Sequence, residues 1–465
     1  MYSMSFPCFV FYLRKHTNIY TWKIKNLCEM LTPLIDEILD AGRANNESIV
    51  RRACRQYPKL FSRLIPASPN TLLHFFSLRG YHECLRAALK LDLIDVNVQN
   101  EDGFSAVALA AQYGNEETIR MLAREFHASV HTPVDDFSRT QKTPLSLAIE
   151  QGHVDAVRVL VNECNINVSN LCSRCLNPLE TACKVGHLDI AKILVHECGA
   201  SVNAIGHTGR SPLTYATEND HLKLVRLLIF ELGAHYDSHL LFVALEYNAR
   251  KTVQFLFGLV GIDPTFRNLS GDNALHVAAR WNHDEIAIQA LIDHKHMQVN
   301  SVNHKGQSAL FIACIRSNAI AVCVLLKARG VDRTLVPKTS TGNTLVHVAA
   351  AKKSIRVLEA LIVDPDIDVN VQNNDGETAL MKCMTTNSDH IVGYLVWKRK
   401  CNIFLKDKDG NTAHDKRLQC SEKIQRIIEN AVKHHLVKTA RALFRLNYKI
   451  PNEIVDYILR HYAML

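Results

Sequence analysis

Cys172 and Cys175 form a C-x-x-C, and with Cys183 and His187 further on they could be written as four zinc ligands. Tetrahedral zinc sites of this kind are usually closed by a second paired motif. No second C-x-x-C occurs, and Cys183 and His187 fall on positions that a repeating pattern already explains. The expectation is no metal and no cofactor. The chain has 23 histidines, but His74, His153, His187, His276 and His347 recur in register, which points to hydrogen bonding within the fold. No P-loop, no G-x-G-x-x-G after a strand, no G-x-S-x-G and no H-E-x-x-H occurs. Residues 1–67 hold no recognisable grouping of nucleophile, base or ligands, so the chain is not expected to be an enzyme.

Bulk properties narrow the partners. The net charge of +8 is mild for 465 residues, and the basic residues gathered between Lys416 and Lys449 lack interleaved aromatics for base stacking, so nucleic acid is not expected. No run of about 18 apolar residues would span a membrane. The apolar stretch Phe6–Leu13 precedes its basic residues and has no small-residue cleavage site, so it reads as neither signal nor anchor. Fourteen cysteines scattered through apolar helical patterns suit a reducing interior, the cytoplasm with the nucleus as a second compartment.

The elements that position these residues repeat. Segments Lys142–Val161, Leu176–Val195 and Arg210–Ile229 share one pattern with a period of 34 residues, which means stacked supersecondary units rather than a closed globule. A leucine (or valine) followed three residues later by alanine recurs at Val107/Ala110, Leu145/Ala148, Leu179/Ala182, Leu213/Ala216, Leu241/Ala244, Leu275/Ala278, Leu310/Ala313 and Val346/Ala349. Thr143 or Ser211 is placed to cap a first helix, and Pro144, Pro178 or Pro212 fits its first position, where a missing N–H costs nothing. Gly152 and Gly186 suit the left-handed turn that ends that helix, and an aliphatic second helix follows. The tails at Ile94–Gly103 and Ile367–Gly376 end in Asp-Gly, a hairpin signal.

These segments resemble ankyrin repeats, whose hallmark T-P-L-H-x-A, then G-H and a D-V-N tail, is matched by Leu275–Ala279 and by Gly186 and His187. The resemblance implies an all-α solenoid of helix pairs with β-hairpin fingers and a concave face that holds a protein target. The expected organisation is an N-terminal helical cap at 1–67, with helices at 27–38 and 49–64, an array of about ten repeats at 68–415, irregular at 238–266, and a helical module at 416–465. The unit at Ser238–Asp263 lacks its opening motif and should have a truncated finger, whereas His131–Lys142 and Val331–Gly342 should form enlarged ones.

In the last stretch a helical pattern runs from Ser421 to Phe444, and a second helix opens at Pro451 with Glu453 in its first turn. Ile450, Pro451, Glu453, Ile454, Ile458 and Leu459 resemble the opening of an F-box, in the shortened form called a PRANC region. That resemblance implies binding to Skp1 and cullin-1. Leu436, Ala440 and Phe444, followed by Ile450, Pro451, Ile454, Tyr457 and Ile458, also resemble a SOCS box, although Ala440 stands where a cysteine is commoner. That resemblance implies elongins B and C with cullin-5 or cullin-2. The expected function is the substrate-recognition subunit of a cullin-RING ubiquitin ligase. The alternative is a plain ankyrin scaffold or inhibitor whose terminal helices only cap the array.

Overall fold

In the computed structural model the described residues are 33–44, 46–57, 70–91, 93–135, 141–168, 176–281, 285–337, 341–398 and 401–445. The chain divides into two compact units, Met1–Tyr236 and Asp237–Leu465. The boundary falls just before the repeat that lacks its opening motif.

Helices form in pairs because each half of the repeat carries its own start and stop. In the first unit they are α1 (33–43) and α2 (Glu47–Gln56), α3 (Leu72–Arg79) and α4 (His82–Leu89), α5 (Ala106–Gln112) and α6 (Glu116–Arg124), α7 (Pro144–Gln151) and α8 (Val154–Arg158), α9 (Pro178–Val185) and α10 (Leu188–His196), and α11 (Pro212–Glu218) and α12 (Leu222–Arg226). Thr143, Asn177 and Ser211 cap α7, α9 and α11 through their side chains, with proline at the first helical position each time. Gly152 and Gly186 close α7 and α9 at φ of 80° and 97°, where a Cβ would be strained. The chain then turns back at once into the outer helix. Helices α8 and α12 end in π-helical turns (Val159–Glu163 and Leu227–Glu231), which the 3.6-residue period does not foretell.

The second unit repeats the plan with α13 (His239–Glu246) and α14 (Arg250–Phe257), α15 (Ala274–Arg280) and α16 (Glu285–Ile292), α17 (Ala309–Arg316) and α18 (Ala319–Lys327), α19 (Leu345–Ala351) and α20 (Ile355–Val363), α21 (Ala379–Thr385) and α22 (Asp389–Gly393), and finally α23 (Ala413–Lys416) and α24 (Glu422–Arg445).

Within each unit the first helices pack on first helices and the second on second helices, so the core is a continuous seam between two layers. The leucine and alanine positions fill it: Leu145, Ala148, Leu179, Ala182, Leu213, Leu275, Ala278 and Leu310 are all buried. Full burial of each leucine is worth about 2 kcal/mol, and that gain exists only when the next repeat is present. At the start of the first unit, a Cβ on Gly42 would lie 2.6 Å from the Phe76 ring, so α1 packs directly on α3. Helix α1 continues to residue 43 rather than ending at 38, and α2 starts at Glu47 because the Asn46 side chain caps it. Residues 27–32 lie outside the described residues, and α2 ends at Gln56 with Tyr57 as its cap rather than running to 64.

The fingers are built from turns more than from ladders. Among the described residues the one paired ladder is the enlarged finger, where β1 (Val134–Asp135) runs antiparallel to β2 (Gln141–Lys142), with Val134 buried beside Ala108 and Leu147. Gln99 and Ser105, and Val302 and Ser308, form single bridges. In the second unit successive tips are tied through the backbone: His304 N–H donates to Ser270 O at 3.1 Å, Asn374 N–H to Thr341 O at 2.9 Å and Lys408 N–H to Asp375 O at 3.1 Å. Residues 232–238 join the Leu227–Glu231 turn directly to α13 without a tip, as the missing motif implied. Part of the second expected enlarged finger, residues 338–340, lies outside the described residues.

Candidate protein-binding surface

The recurrent histidines spend their ring nitrogens inside the fold. His153, His187 and His221 each bring Nε2 to a carbonyl of the preceding repeat, at Gln112 (3.0 Å), Glu150 (3.2 Å) and Lys184 (3.1 Å). His74, His276 and His347 sit three residues after a helix cap, where Nδ1 accepts from the cap and Nε2 donates to Val98 O, Gln307 O and Glu377 O of the next finger. Burial lowers the pKa of all three, His74 to about 4, and keeps them neutral. Of the four residues with zinc-like spacing, Cys172 and Cys175 lie outside the described residues. Cys183 is buried in the seam with its thiol pushed up by burial, and His187 is engaged as above. No group of three or more metal-binding side chains occurs among the described residues.

Glu180 occupies the same position as His74 and His276 but with opposite polarity. It is fully buried and accepts from Asn177 N–H at 3.0 Å and from Gly206 N–H of the next finger at 2.9 Å. Burial raises its pKa against those two hydrogen bonds. A Cβ on Gly206 would run into the Glu180 carboxylate, so a larger residue there would push that carboxylate off its hydrogen bonds.

A second network runs along the outer helices of the first unit. Arg86 reaches Glu125 (2.9 Å), Arg120 reaches Glu163 (2.9 Å), Arg158 reaches Glu197 (3.2 Å) and Lys192 reaches Glu231 (3.3 Å), each bridging to the next repeat. Hydrogen bonding to Glu163, then to Glu117, raises the Arg120 pKa, and the Arg120 guanidinium holds the Glu163 carboxyl low. The repeat register by itself does not reveal this ladder. Its signal was available, as a basic residue on one outer helix followed 39 or 43 positions later by a glutamate.

The terminal helix α24 has two different halves. Ile424 and Ile428 are fully buried and Ala431 nearly so, against the last outer helix α22. Further along, His434, Leu436, Lys438 and Thr439 are exposed. His434 and His435 lean on the rings of Trp397 and Phe404, at centroid distances of 6.3 and 4.8 Å. At 24 residues, against eight or nine for most outer helices, α24 is about 36 Å long and outruns the layer it joins. Of the residues assigned to adaptor binding, Leu436 lies on this exposed half. Ala440 and Phe444 belong to α24, but their side chains lie outside the described residues, as do Ile450, Pro451, Glu453, Ile454, Tyr457, Ile458 and Leu459 entirely. Several of the gathered basic residues are paired: Lys416 to Asp407 (2.7 Å) and Glu377 (3.1 Å), Arg417 to Glu429 (3.4 Å) and Lys423 to Asp389 (3.8 Å). Burial works against the Lys416 charge, but the bonds to Asp407 and Glu377 outweigh it and raise its pKa.

The pattern that defines ankyrin repeats (3 copies) matches residues 41–134, 73–170, 130–206, 169–239, 240–335 and 346–416, and the chain belongs to the ankyrin-repeat family. It is similar to "Transient receptor potential cation channel subfamily A member 1" of Homo sapiens, 28% identical over 152 residues, which is 31% of this chain and 13% of that protein. It is also similar to "ANK repeat-containing protein nipk-1" of Caenorhabditis elegans, 29% identical over 169 residues, 32% of this chain and 27% of that protein. The matches thus span less than a third of those relatives' length. Among solved structures, the human ASB11 ankyrin repeat domain aligns with TM-score 0.35 and 22% identity, covering 57% of this chain and all of that one. The EF0377 ankyrin repeat protein aligns with TM-score 0.37 and 23% identity, covering 42% of this chain and 98% of that one. Ankyrin repeats imply a role in protein–protein interaction.

Proposed function

We propose that this protein works in the cytoplasm, without catalysing a reaction itself, as the target-holding subunit of a cullin-RING ubiquitin ligase. The array grips the target, and the terminal helices dock the adaptor, either Skp1 with cullin-1 or elongins B and C with cullin-5 or cullin-2. Proximity is the contribution: holding target and ligase on one chain raises the effective concentration of one for the other. The observation that supports this reading best is the exposed second half of α24, which carries Leu436 beyond the layer that the first half seals. An exposed helix is a common element in helix-to-groove recognition, with Leu436 as the apolar residue available there among the described ones. Burial of Ile424 and Ile428 favours the second reading, in which α24 is a cap and the array is a scaffold or inhibitor.

The two separate in one co-purification. The full chain, mixed with Skp1 or with the elongin B and C pair, should retain one of them. Replacing Pro451 and Ile454 together with aspartate should abolish that retention while the thermal transition stays where it was. If neither adaptor is retained by the unaltered chain, the cap reading stands.

A further inference from the structure

The first helices of the second unit pack in the order α13, α15, α17, α19, and their C-terminal ends carry Tyr247, Trp281, Arg316 and Lys352 in turn. Tyr247 is 47% exposed and Trp281 45%, and Arg316, Lys352 and Lys353 are exposed. Packed helices lie about 8–10 Å apart, so these side chains form a row about 30 Å long, two aromatic rings followed by cations. The end of α15 is tied to the next repeat: buried Asn318 donates to Trp281 O at 2.7 Å and to Ala279 O at 3.2 Å.

At three other first-helix ends a charge is compensated by a residue eight positions earlier, although Lys184 and Glu246, exposed at the ends of α9 and α13, have Leu176 and Ser238 at that distance. Glu150 pairs with Lys142, Glu218 with Arg210 and Arg280 with Asp272. Arg316, Lys352 and Lys353 have no ionic partner among the described residues. Aromatic faces and arginine are the groups that most often carry binding energy at protein interfaces, and an exposed guanidinium takes a carboxylate in a two-pronged grip. A spacing of about 10 Å equals three residues of extended chain at about 3.3 Å each.

We propose that this row binds an extended acidic segment of a partner protein. An apolar residue lies over Tyr247 and Trp281, and carboxylates at every third position run toward Arg316 and Lys352. The inference rests on the array being the target-holding face and is independent of any ligase adaptor.

The test is fluorescence anisotropy with the full chain and two synthetic peptides of about twelve residues, one with a leucine anchor followed by glutamate at every third position, the other with glutamine in those places. The glutamate peptide should bind about tenfold more tightly at low salt, with the preference shrinking as salt rises. Trp281→Ala and the pair Arg316→Gln with Lys352→Gln should each weaken it about tenfold, whereas Lys223→Glu on α12 should leave it unchanged. Thermal melts and adaptor retention measured on the same samples show whether a variant has unfolded or lost a different partner. Equal binding of the two peptides, no binding of the glutamate peptide at about 1 mM, or an equal loss in Lys223→Glu overturns the proposal.

Discussion

Glu180 shows how a single position is specified by what faces it. Where His74, His276 and His347 donate to a carbonyl of the next finger, Glu180 meets an N–H instead and must accept. Glutamine at 180 would turn an amide N–H toward a donor, so Glu180→Gln should cost about 1–3 kcal/mol, read as a lower thermal midpoint. The histidines set an acid limit. Burial holds His74 near a pKa of about 4 against an ordinary 6.5, so the unfolded chain takes up the proton first as pH falls. The stability it provides is complete above pH 6.5 and is lost as pH falls toward 4, by at most about 3 kcal/mol. Glu180 works in the opposite direction. Its raised pKa makes ionisation costly in the fold, so stability declines as pH rises through and above 4.5. Urea midpoints at several pH values should fall on the acid side, and His74→Gln should flatten that limb. The recurrence of these histidines was legible in the sequence, but whether a finger offers N–H or C=O was not.

At the scale of elements, the caps were readable and the contacts between elements were not. Thr143, Pro144 and Gly152 announce α7, because each acts on backbone a few residues away. Thr143→Ala removes the side-chain half of a capping box and should lower stability by about 1 kcal/mol in the same melt. Gly206 has no such local signature. Its need for glycine comes from Glu180, on a helix 26 residues earlier. Gly206→Ala should destabilise by about 1–3 kcal/mol, and combining it with Glu180→Ala should cost less than the two changes added, as a double-mutant cycle would report. The ladder on the outer helices promises less. Its members are a quarter to two-thirds exposed, so each pair is worth less than about 1 kcal/mol and should fade in high salt.

For the whole molecule, stability is a chain of neighbour contacts, and the ends are where it is weakest. Helix α24 buries Ile424 and Ile428 over the last repeat. Ile428→Asp should open that end first: hydrogen exchange would show α23 and α24 losing protection while α3 to α11 keep theirs. Uniform loss across both units would mean that the array unfolds as one cooperative body. The row at Tyr247, Trp281, Arg316 and Lys352 belongs to this scale too, since its members are 34 to 36 residues apart and become neighbours only through stacking.

The sequence by itself determined the repeat, its period, the pairing of helices and the positions that fill the seam, because those depend on spacing along one chain and on caps that act locally. Only the tertiary structure decided which carboxylate is satisfied, which glycine faces it, where α24 stops sealing the array and, among the described residues, which charges are paired across repeats. Each of those depends on atoms that approach one another across a repeat boundary, at sequence separations that no local pattern encodes.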